Sequence, residues 1–409
     1  MRIAWLGPTP TEDGGAPYVG TQLLRELARA GAEIDCFLDV GPDQVPRALQ
    51  GIEGLRFVLR PTKWRWGRWY NRVPMMAFLS GYMFRLRAQW GLARSIAEHH
   101  AREPYDVVYQ FSQSELGGLR GLRDVLPPIV VHPSTHAAGE LRWHRREAHF
   151  ARALEPPLRR ALVAAVLALR AAIQRRDLPQ AARVLGVSRR FSEHLATDYR
   201  ISPERLGVVV NPIDLDRFEL ARPRRTQRPL QLLYVSRIAV RKGVEMVVDL
   251  SHRLADLEGQ VEIVVIGGRT TWSDYTGLLA GLHPGVASYL GGVEPERLTE
   301  MYREAAAVLQ PSRYEPFALT VGEALACGTP VVASDEVGAV DGLDPRVCTV
   351  FANGDADAFE HAVRDVLAIA DERRDELAGI ARAEAERLFA PPAVAATLLA
   401  ELELAGARG

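Results

Sequence analysis

The sequence predicts an α/β protein built of two doubly wound domains, each a parallel sheet with helices on both faces, opposed across a cleft. Three observations carry this. The 409 residues suffice to bury two cores. Short apolar runs alternate with helical patterns from the first residues onward. After a polar stretch at 219–229, ELARPRRTQRP, which reads as a solvated linker, the same alternation begins again.

Taken in order, IAWL is the first strand, followed by the loop GPTPTEDGGAPYVG, a helix with its apolar face on Leu23, Leu24 and Leu27, and the strand EIDCFLDV. This is a βαβ opening of a parallel sheet. Glycines directly after a first strand let backbone approach a ligand, which makes Gly14 and Gly15 candidates. GLRFVLR, DVVYQF and PIVVHP are further strands, and a long basic helical region covers 140–178. RVLGVS, the helix RFSEHLATDY and RLGVVVNP close the first half. The second half reads LQLLYVS, a helix over 243–256, VEIVVIGG, a helix over 273–282, VASYLGGV, the helix PERLTEMYREA and AVLQPS. Then come a short helix GEALA with Glu323 in its first turn, the strands VVAS and VCTVF, and two terminal helices. Pro391-Pro392 is a suitable turn before the last helix, AVAATLLAELELA, whose return to the first domain is what the resemblance given below implies. The expected boundaries are 1–208, 209–388 and 389–409.

Composition narrows the function. The net charge of −1 says little, but residues 61–95 carry seven Lys or Arg and no acid, and residues 142–190 carry twelve Arg against three acids. Both segments seek anions. Lys63 and Lys242 are the only lysines among 50 basic residues, so each invites attention. Cys36, Cys327 and Cys348 lack metal-ligand or CxxC spacing, so neither a zinc site nor a disulfide framework is expected. MRIAWLG has no signal-peptide core, and the longest apolar run, ALVAAVLAL, is too short to span a bilayer. The expectation is a cytoplasmic protein, soluble or peripheral at the inner membrane face.

The chemistry concentrates in two places. Glu315 and Glu323 stand eight apart in PSRYEPFALTVGEALACGTPVVAS, a loop, helix, turn and strand that together make a ligand site at a sheet edge. Carboxylates there suit hydroxyls, and helix amides suit phosphate. Upstream, Tyr234-Val-Ser-Arg237 followed by Arg241-Lys242-Gly243 puts a strand end, several cations and a helix start within ten residues, the usual setting for phosphate in α/β sheets.

Glu315-Pro-Phe-Ala-Leu-x-x-x-Glu323 followed by Ala-x-Ala-Cys-Gly-Thr-Pro-Val-Val resembles the E-x7-E signature of retaining glycosyltransferase family 4. Arg237 to Gly243 is similar to that family's G-R-x-x-x-x-K-G loop, with Ser236 in place of glycine, and Val210-Asn-Pro-Ile-Asp214 to its Asn-Gly-Ile/Val-Asp hinge, with Pro212 replacing glycine. The resemblance implies a GT-B fold and a retaining, metal-independent transfer of sugar from a nucleotide-diphosphate donor, UDP- or GDP-linked, with no other cofactor. It implies that Arg237 and Lys242 stabilise the diphosphate as leaving group, that Glu323 accepts from the ribose hydroxyls, and that Glu315 accepts from the donor sugar. The amides of Phe317, Ala318 and Leu319 would serve sugar and phosphate. Ala318 stands where the family commonly has glycine. Gly14 and Gly15 would face the phosphates, Gly267 and Gly268 the same sheet edge, and Val293 the base. A histidine close to the donor sugar is also implied; His132, directly after the apolar run, is the first candidate and His136 the second.

Other classes were weighed against this. Asp214-Leu-Asp216 mimics a metal-binding DxD, but both aspartates fall inside the hinge pattern ending at Phe218. A nucleotide-sugar epimerase or hydrolase on the same fold, or a non-catalytic nucleotide-sugar-binding protein, are the alternatives. For the acceptor, residues 61–95 hold four of the seven tryptophans with Tyr70, Phe78, Tyr82 and Phe84, and helix 159–176 has an apolar middle flanked by arginines. Such a face suits an anionic membrane surface and a lipid-linked acceptor, although a glycan or small-molecule acceptor fits the fold equally, and no nucleic-acid-binding fold accompanies the charges.

Overall fold

The computed structural model describes residues 1–12, 14–61, 74–151, 154–220, 228–270, 274–369 and 372–407, with side chains except at 42 and 74–86. The aromatic and basic side chains singled out at Lys63, Trp64, Trp66, Arg68, Tyr70, Phe78, Tyr82 and Phe84 lie outside what is described, as does most of the linker at 219–229.

All thirteen expected strands form. The first sheet holds β1 (Arg2–Leu6), β2 (Glu33–Leu38), β3 (Leu55–Leu59), β4 (Val107–Phe111), β5 (Ile129–His132), β6 (Arg183–Gly186) and β7 (Leu206–Val208) in the order 3-2-1-4-5-6-7. The second holds β8 (Leu230–Val235), β9 (Val261–Ile266), β10 (Ala287–Gly291), β11 (Ala307–Gln310), β12 (Val331–Ser334) and β13 (Cys348–Phe351) in the order 10-9-8-11-12-13. Every pairing is parallel; Trp5 stands opposite both Cys36 and Tyr109, and Leu233 opposite both Val264 and Val308. The order reverses beside β1 and beside β8, so each sheet has a switch point at the carboxyl end of its first strand, where loops diverge and leave a crevice.

The helices are α1 (Gly15–Arg29), α2 (Pro74–His100), α3 (Ala137–Arg146), α4 (Ala148–Ala151), α5 (Pro157–Asp177), α6 (Arg189–Tyr199), α7 (Val244–Arg253), α8 (Pro295–Glu304), α9 (Leu319–Ala326), α10 (Ala356–Ile369), α11 (Arg374–Phe389) and α12 (Pro391–Gly406). Four differ from expectation. α2 was not read, although its buried Ala88, Leu92, Ala93 and Ile96 have helical spacing, because Trp and Arg obscure the pattern before them. The basic region 140–178 breaks into α3, α4 and α5. The helix expected over 273–282 is a short 3-10 stretch, Thr276–Gly281, whose two glycines favour no longer helix. The chain ends in three helices rather than two.

α12 returns to the first domain and packs on α1, β4 and β5. Its Leu398, Leu402 and Ala405 are fully buried in one cluster with Leu23, Leu24 and Leu27. The stretch Arg374–Gly406 is long and apolar enough to cross a membrane, yet the chain turns at Ala390 and each of the two helices buries its apolar face in the protein. A second cluster crosses the floor of the cleft, joining Val187 and Phe191 to Phe317, Val337 and Ala339. Cys36, Cys327 and Cys348 are buried and form no disulfide with one another.

If α12 is part of the first domain's core, Leu398→Ala costs about 2–5 kcal/mol of unfolding free energy. Urea denaturation followed by circular dichroism measures this, and a loss below about 0.5 kcal/mol, the range of a surface change, would contradict the packing.

Candidate active site

Three loops meet at the carboxyl edge of the second sheet because two glycines let backbone touch backbone. Gly243, at φ +74°, carries no Cβ, and one placed there would fall 2.0 Å from the Pro311 carbonyl oxygen. Gly267, at φ +135°, has the Ser236 carbonyl oxygen 1.8 Å from its would-be Cβ. Hydrogen bonds then stitch the loops: Ile238 N–H donates to Gly268 O (2.8 Å), Gly267 N–H to Gly291 O (2.7 Å), and the Arg313 and Tyr314 amides to Arg241 O (2.9 and 3.3 Å). The strand ends after β8, β9, β10 and β11 thus form one surface.

On that surface the Lys242 ammonium pairs with the Glu315 carboxylate, and no other described group donates to Glu315 Oε2. Both side chains are largely buried, at 15% and 11% exposed. Burial, and then the neighbouring Arg241 and Arg237 guanidinium groups, push the Lys242 ammonium well below its ordinary range, while the Glu315 charge opposes them. Arg237 is exposed and Arg241 half-buried. A cluster of three cations with one carboxylate is electrostatically incomplete, and an anion beside it would relieve the repulsion.

Glu315 sits in a rigid loop. Arg313 Nε donates to Glu245 Oε1 (2.5 Å), Asn353 Nδ2 to Arg313 O (2.9 Å), and Gln310 Nε2 to Ser312 Oγ (2.8 Å). The loop ends at Ala318, which adopts φ 79°. A residue with a Cβ costs roughly 1–2 kcal/mol in that region. The strain is confined to the residue that turns the chain into α9, and no side chain caps that helix. The Leu319 and Thr320 amides that open α9 therefore have no intrahelical acceptor, while Val321 N–H donates to Ala318 O at 3.2 Å.

α9 begins three residues earlier than expected, so Glu323 lies in its second turn and not in the first. Leu319, Thr320 and Val321, from the apolar run FALTV placed before the helix, open the first turn instead. Glu323 is consequently held by a side chain: Tyr302 OH on α8 donates to its Oε2 at 2.9 Å. Burial pushes the Glu323 carboxyl up, against the Tyr302 hydrogen bond and the Arg217 charge. Arg217 also lies over the rings of Tyr18 and Phe218, at 5.7 and 5.5 Å.

The first domain supplies an open loop. Gly14 and Gly15 have φ of +24° and +75°, with nothing within 4 Å of a Cβ on Gly14. On α1, Tyr18 OH donates to Asp214 Oδ2 (2.5 Å), while Asp214 Oδ1 accepts the amides of Asp216 and Arg217 (3.2 and 3.0 Å). Both oxygens of Asp214 are thereby committed within the hinge. Val293 is partly buried against the core beyond Gly291 and Gly292.

The two histidines are corrected by the structure. His132 is fully buried at the end of β5, with Nδ1 bonded to Tyr109 OH (2.6 Å) and Nε2 to Val209 O (3.0 Å). Desolvation lowers its pKa to about 4, so the ring is neutral near pH 7. It braces two strands. His136 also has both nitrogens engaged, by Asp198 (2.7 Å) and Tyr314 OH (2.5 Å), but its partner Tyr314 adjoins Glu315. Neither ring offers a free nitrogen to a ligand, and of the two it is His136, not His132, that reaches the site. Tyr302, Tyr314 and Asp198 escaped the sequence reading. Tyr314 had one signal, its adjacency to Glu315; Asp198, 117 residues before Glu315 in the chain, had none.

A family model described as Glycosyltransferase Family 4 matches residues 13–217, and one described as Glycosyl transferases group 1 matches residues 216–383. The chain is 28% identical over 431 residues to the D-inositol 3-phosphate glycosyltransferase of Xylanimonas cellulosilytica, covering 96% of this chain and 92% of that protein. It is 28% identical over 447 residues to the MMP alpha-(1->4)-mannosyltransferase of Mycolicibacterium hassiacum, covering 100% and 99%. Among solved structures it resembles Anabaena Alr3699/HepE in complex with UDP, with a TM-score of 0.66 at 17% identity over 98% of this chain and 100% of the other.

If an anion completes the cation cluster, binding raises the depressed Lys242 pKa and takes up a proton at pH values between the free and bound pKa. Affinity for UDP is then greatest below the free-state pKa and declines as pH rises through the bound-state pKa. Calorimetry in two buffers of different ionisation enthalpy reads this directly: wild type takes up more protons than Lys242→Met. Equal proton exchange in the two proteins would remove Lys242 from the anion site.

Proposed function

The chain belongs to glycosyltransferase family 4 and is a glycosyltransferase of GT-B fold, and we propose that it transfers sugar from a nucleotide-diphosphate donor with retention of configuration and without a metal. The observation that carries the reading is the Lys242–Glu315 pair between Arg237 and Arg241 at the second sheet's switch point. In this reading the bond from the anomeric carbon to the phosphate oxygen breaks while the bond to the acceptor oxygen forms on the same face. The acceptor's proton leaves with the diphosphate, whose charge Arg237 and Lys242 neutralise. Glu315, already engaged by Lys242, orients donor hydroxyls and does not act as a nucleophile. Glu323 accepts from the ribose with the oxygen that Tyr302 leaves free, and the amides of Phe317, Ala318 and Leu319 receive sugar and phosphate. Gly14 and Gly15 approach the phosphates from the first domain, Ser236, Gly267 and Gly268 shape the sheet edge, and Val293 backbone reads the base.

UDP is the first donor to test, because the solved structural neighbour holds UDP; GDP is the second. The acceptor is anionic, lipid-linked, glycan or small molecule. Relatives named for D-inositol 3-phosphate and for mannosyl transfer support a polyhydroxylic acceptor. A lipid-linked acceptor at the inner membrane face is supported by α5, where Leu158 and Leu169 are 79% and 55% exposed on one side of the helix, with Leu162 and Ala165 between them. Arg159 and Arg175 stand exposed toward the two ends of the helix. An apolar stripe between cations suits shallow adsorption to an anionic surface.

A thermal-shift panel of nucleotide sugars identifies the donor, and NMR of the first-formed product gives its anomeric configuration. The expected result is retention, undiminished by chelator. Replacing Glu323 by Ala weakens donor binding by about 1.5–3 kcal/mol, and Glu315→Ala lowers turnover more than binding. An inverted product refutes the retaining reading, and free sugar or no product refutes transfer.

Co-sedimentation with vesicles tests the surface. Binding to anionic vesicles at low ionic strength, weakened by salt and by Leu158→Asp with Leu169→Asp, is expected. Absence of binding assigns a soluble acceptor.

A further inference from the structure

A buried chain of hydrogen bonds runs from the first domain to the donor-side loop. Arg142 Nη2 donates to Asp198 Oδ1 (2.5 Å), and His136 Nε2 lies 2.7 Å from Asp198 Oδ2. Burial pushes the Asp198 carboxyl up, but His136 and Arg142 outweigh it and hold the group below its ordinary range. An ionised Asp198 can only accept, so Nε2 of His136 carries a proton toward it, and on the other side of the ring Nδ1 and Tyr314 OH share a hydrogen bond at 2.5 Å. His136 and Tyr314 are 0% and 2% exposed. α3 leaves them room: a Cβ on Gly139 would fall 2.5 Å from His136 Cε1 and 2.7 Å from Tyr314 OH. Any other residue there would push the pair apart.

The first domain also holds the other side of Glu315. Ser188, the N-cap of α6, accepts from Phe191 N–H (3.1 Å) and donates its own hydroxyl to Pro316 O at 2.8 Å. Gly338 packs against both, with Pro316 O 2.1 Å and Ser188 Oγ 2.2 Å from its would-be Cβ. The residues before and after Glu315 are therefore each gripped by a polar side chain from the opposite domain.

We propose that His136, oriented by Asp198, is a positioning residue that sets Glu315 through Tyr314, with Ser188 fixing the other flank at Pro316, so that the Glu315–Lys242 pair is in register only when the two domains are docked. The proposal rests on the transferase reading for its kinetic consequence and on geometry alone for its structural one. It removes His136 from direct contact with the reacting atoms. It also ties assembly of the donor site to the domain that carries the acceptor, which links transfer to domain docking.

A double-mutant cycle tests it with two readouts. Hydrogen exchange in donor-free protein is expected to accelerate over residues 313–319 in Tyr314→Phe and in His136→Ala, and to accelerate no further in the double variant. In turnover, each single variant is expected to lower kcat about tenfold with donor KM changed less than about twofold, and the double variant to match the singles. His136→Asn, whose amide oxygen can accept from Tyr314 OH, is expected to restore both readouts. Unchanged exchange in the single variants overturns the proposal whatever the reaction. Full activity of Tyr314→Phe beside an inactive His136→Asn overturns it in favour of direct contact between His136 and substrate. A wild-type protein that transfers no sugar would refute the function reading alone, and exchange would still decide this one.

Discussion

A buried lysine ammonium between two guanidinium groups, balanced by one carboxylate, is the interaction around which this molecule is arranged. Such a charge persists out of water only where a partner is fixed beside it. The rigid construction of the surrounding loops serves that need. Gly243 and Gly267 bring backbone into contact, the Arg241 carbonyl anchors the loop carrying Glu315, and Arg313 pairs with Glu245 beneath it. Three cations around one carboxylate leave repulsion that an anion beside them would relieve, which is what the proposed transfer draws on.

The first domain contributes more to this arrangement than a wall opposite the donor. Ala151, from the α3–α5 excursion, is fully buried in the second domain's core. Glu147 accepts from the buried Tyr275 hydroxyl at 3.2 Å, and Arg160 reaches the same hydroxyl at 3.4 Å. Burial pushes the Glu147 carboxyl up, opposed by the Tyr275 hydrogen bond and by the nearby Arg160 and Arg241 charges. The excursion, the His136–Tyr314 contact and the Ser188–Pro316 contact all join the domains on the side where the loop carrying Glu315 lies. In contrast, a Cβ placed on Gly14 would meet nothing within 4 Å.

Most strands were readable because they are buried on both faces, so each is a plain apolar run between loop signals; β3, β7, β10 and β13 are the partly exposed exceptions. VVYQF, VVAS and VEIVVI needed no tertiary knowledge. Helices were less readable where aromatic and basic residues hide the apolar stripe, as in α2, or where one basic segment breaks into pieces, as in α3 to α5. The start of α9 was misplaced because FALTV, with two β-branched residues, has strand-like local preference; packing of Val321 and Leu325 into the core overrides it. His132 was preferred to His136 because it directly follows the apolar run, and adjacency to a strand says nothing about where a ring points.

What the sequence determined by itself is the alternation of strands and helices and the spacing of Arg237, Lys242, Glu315 and Glu323. Those follow from local pattern and from chain connectivity, which the order of residues encodes directly. Only the tertiary structure decided which side chains hold these four. Tyr302 on Glu323, Tyr314 between His136 and Glu315, and Ser188 on Pro316 join residues far apart in the chain, and no periodicity records such a meeting. Hydrogen bonds depend on distance and direction to within a few tenths of an ångström, and those are set by how two cores pack.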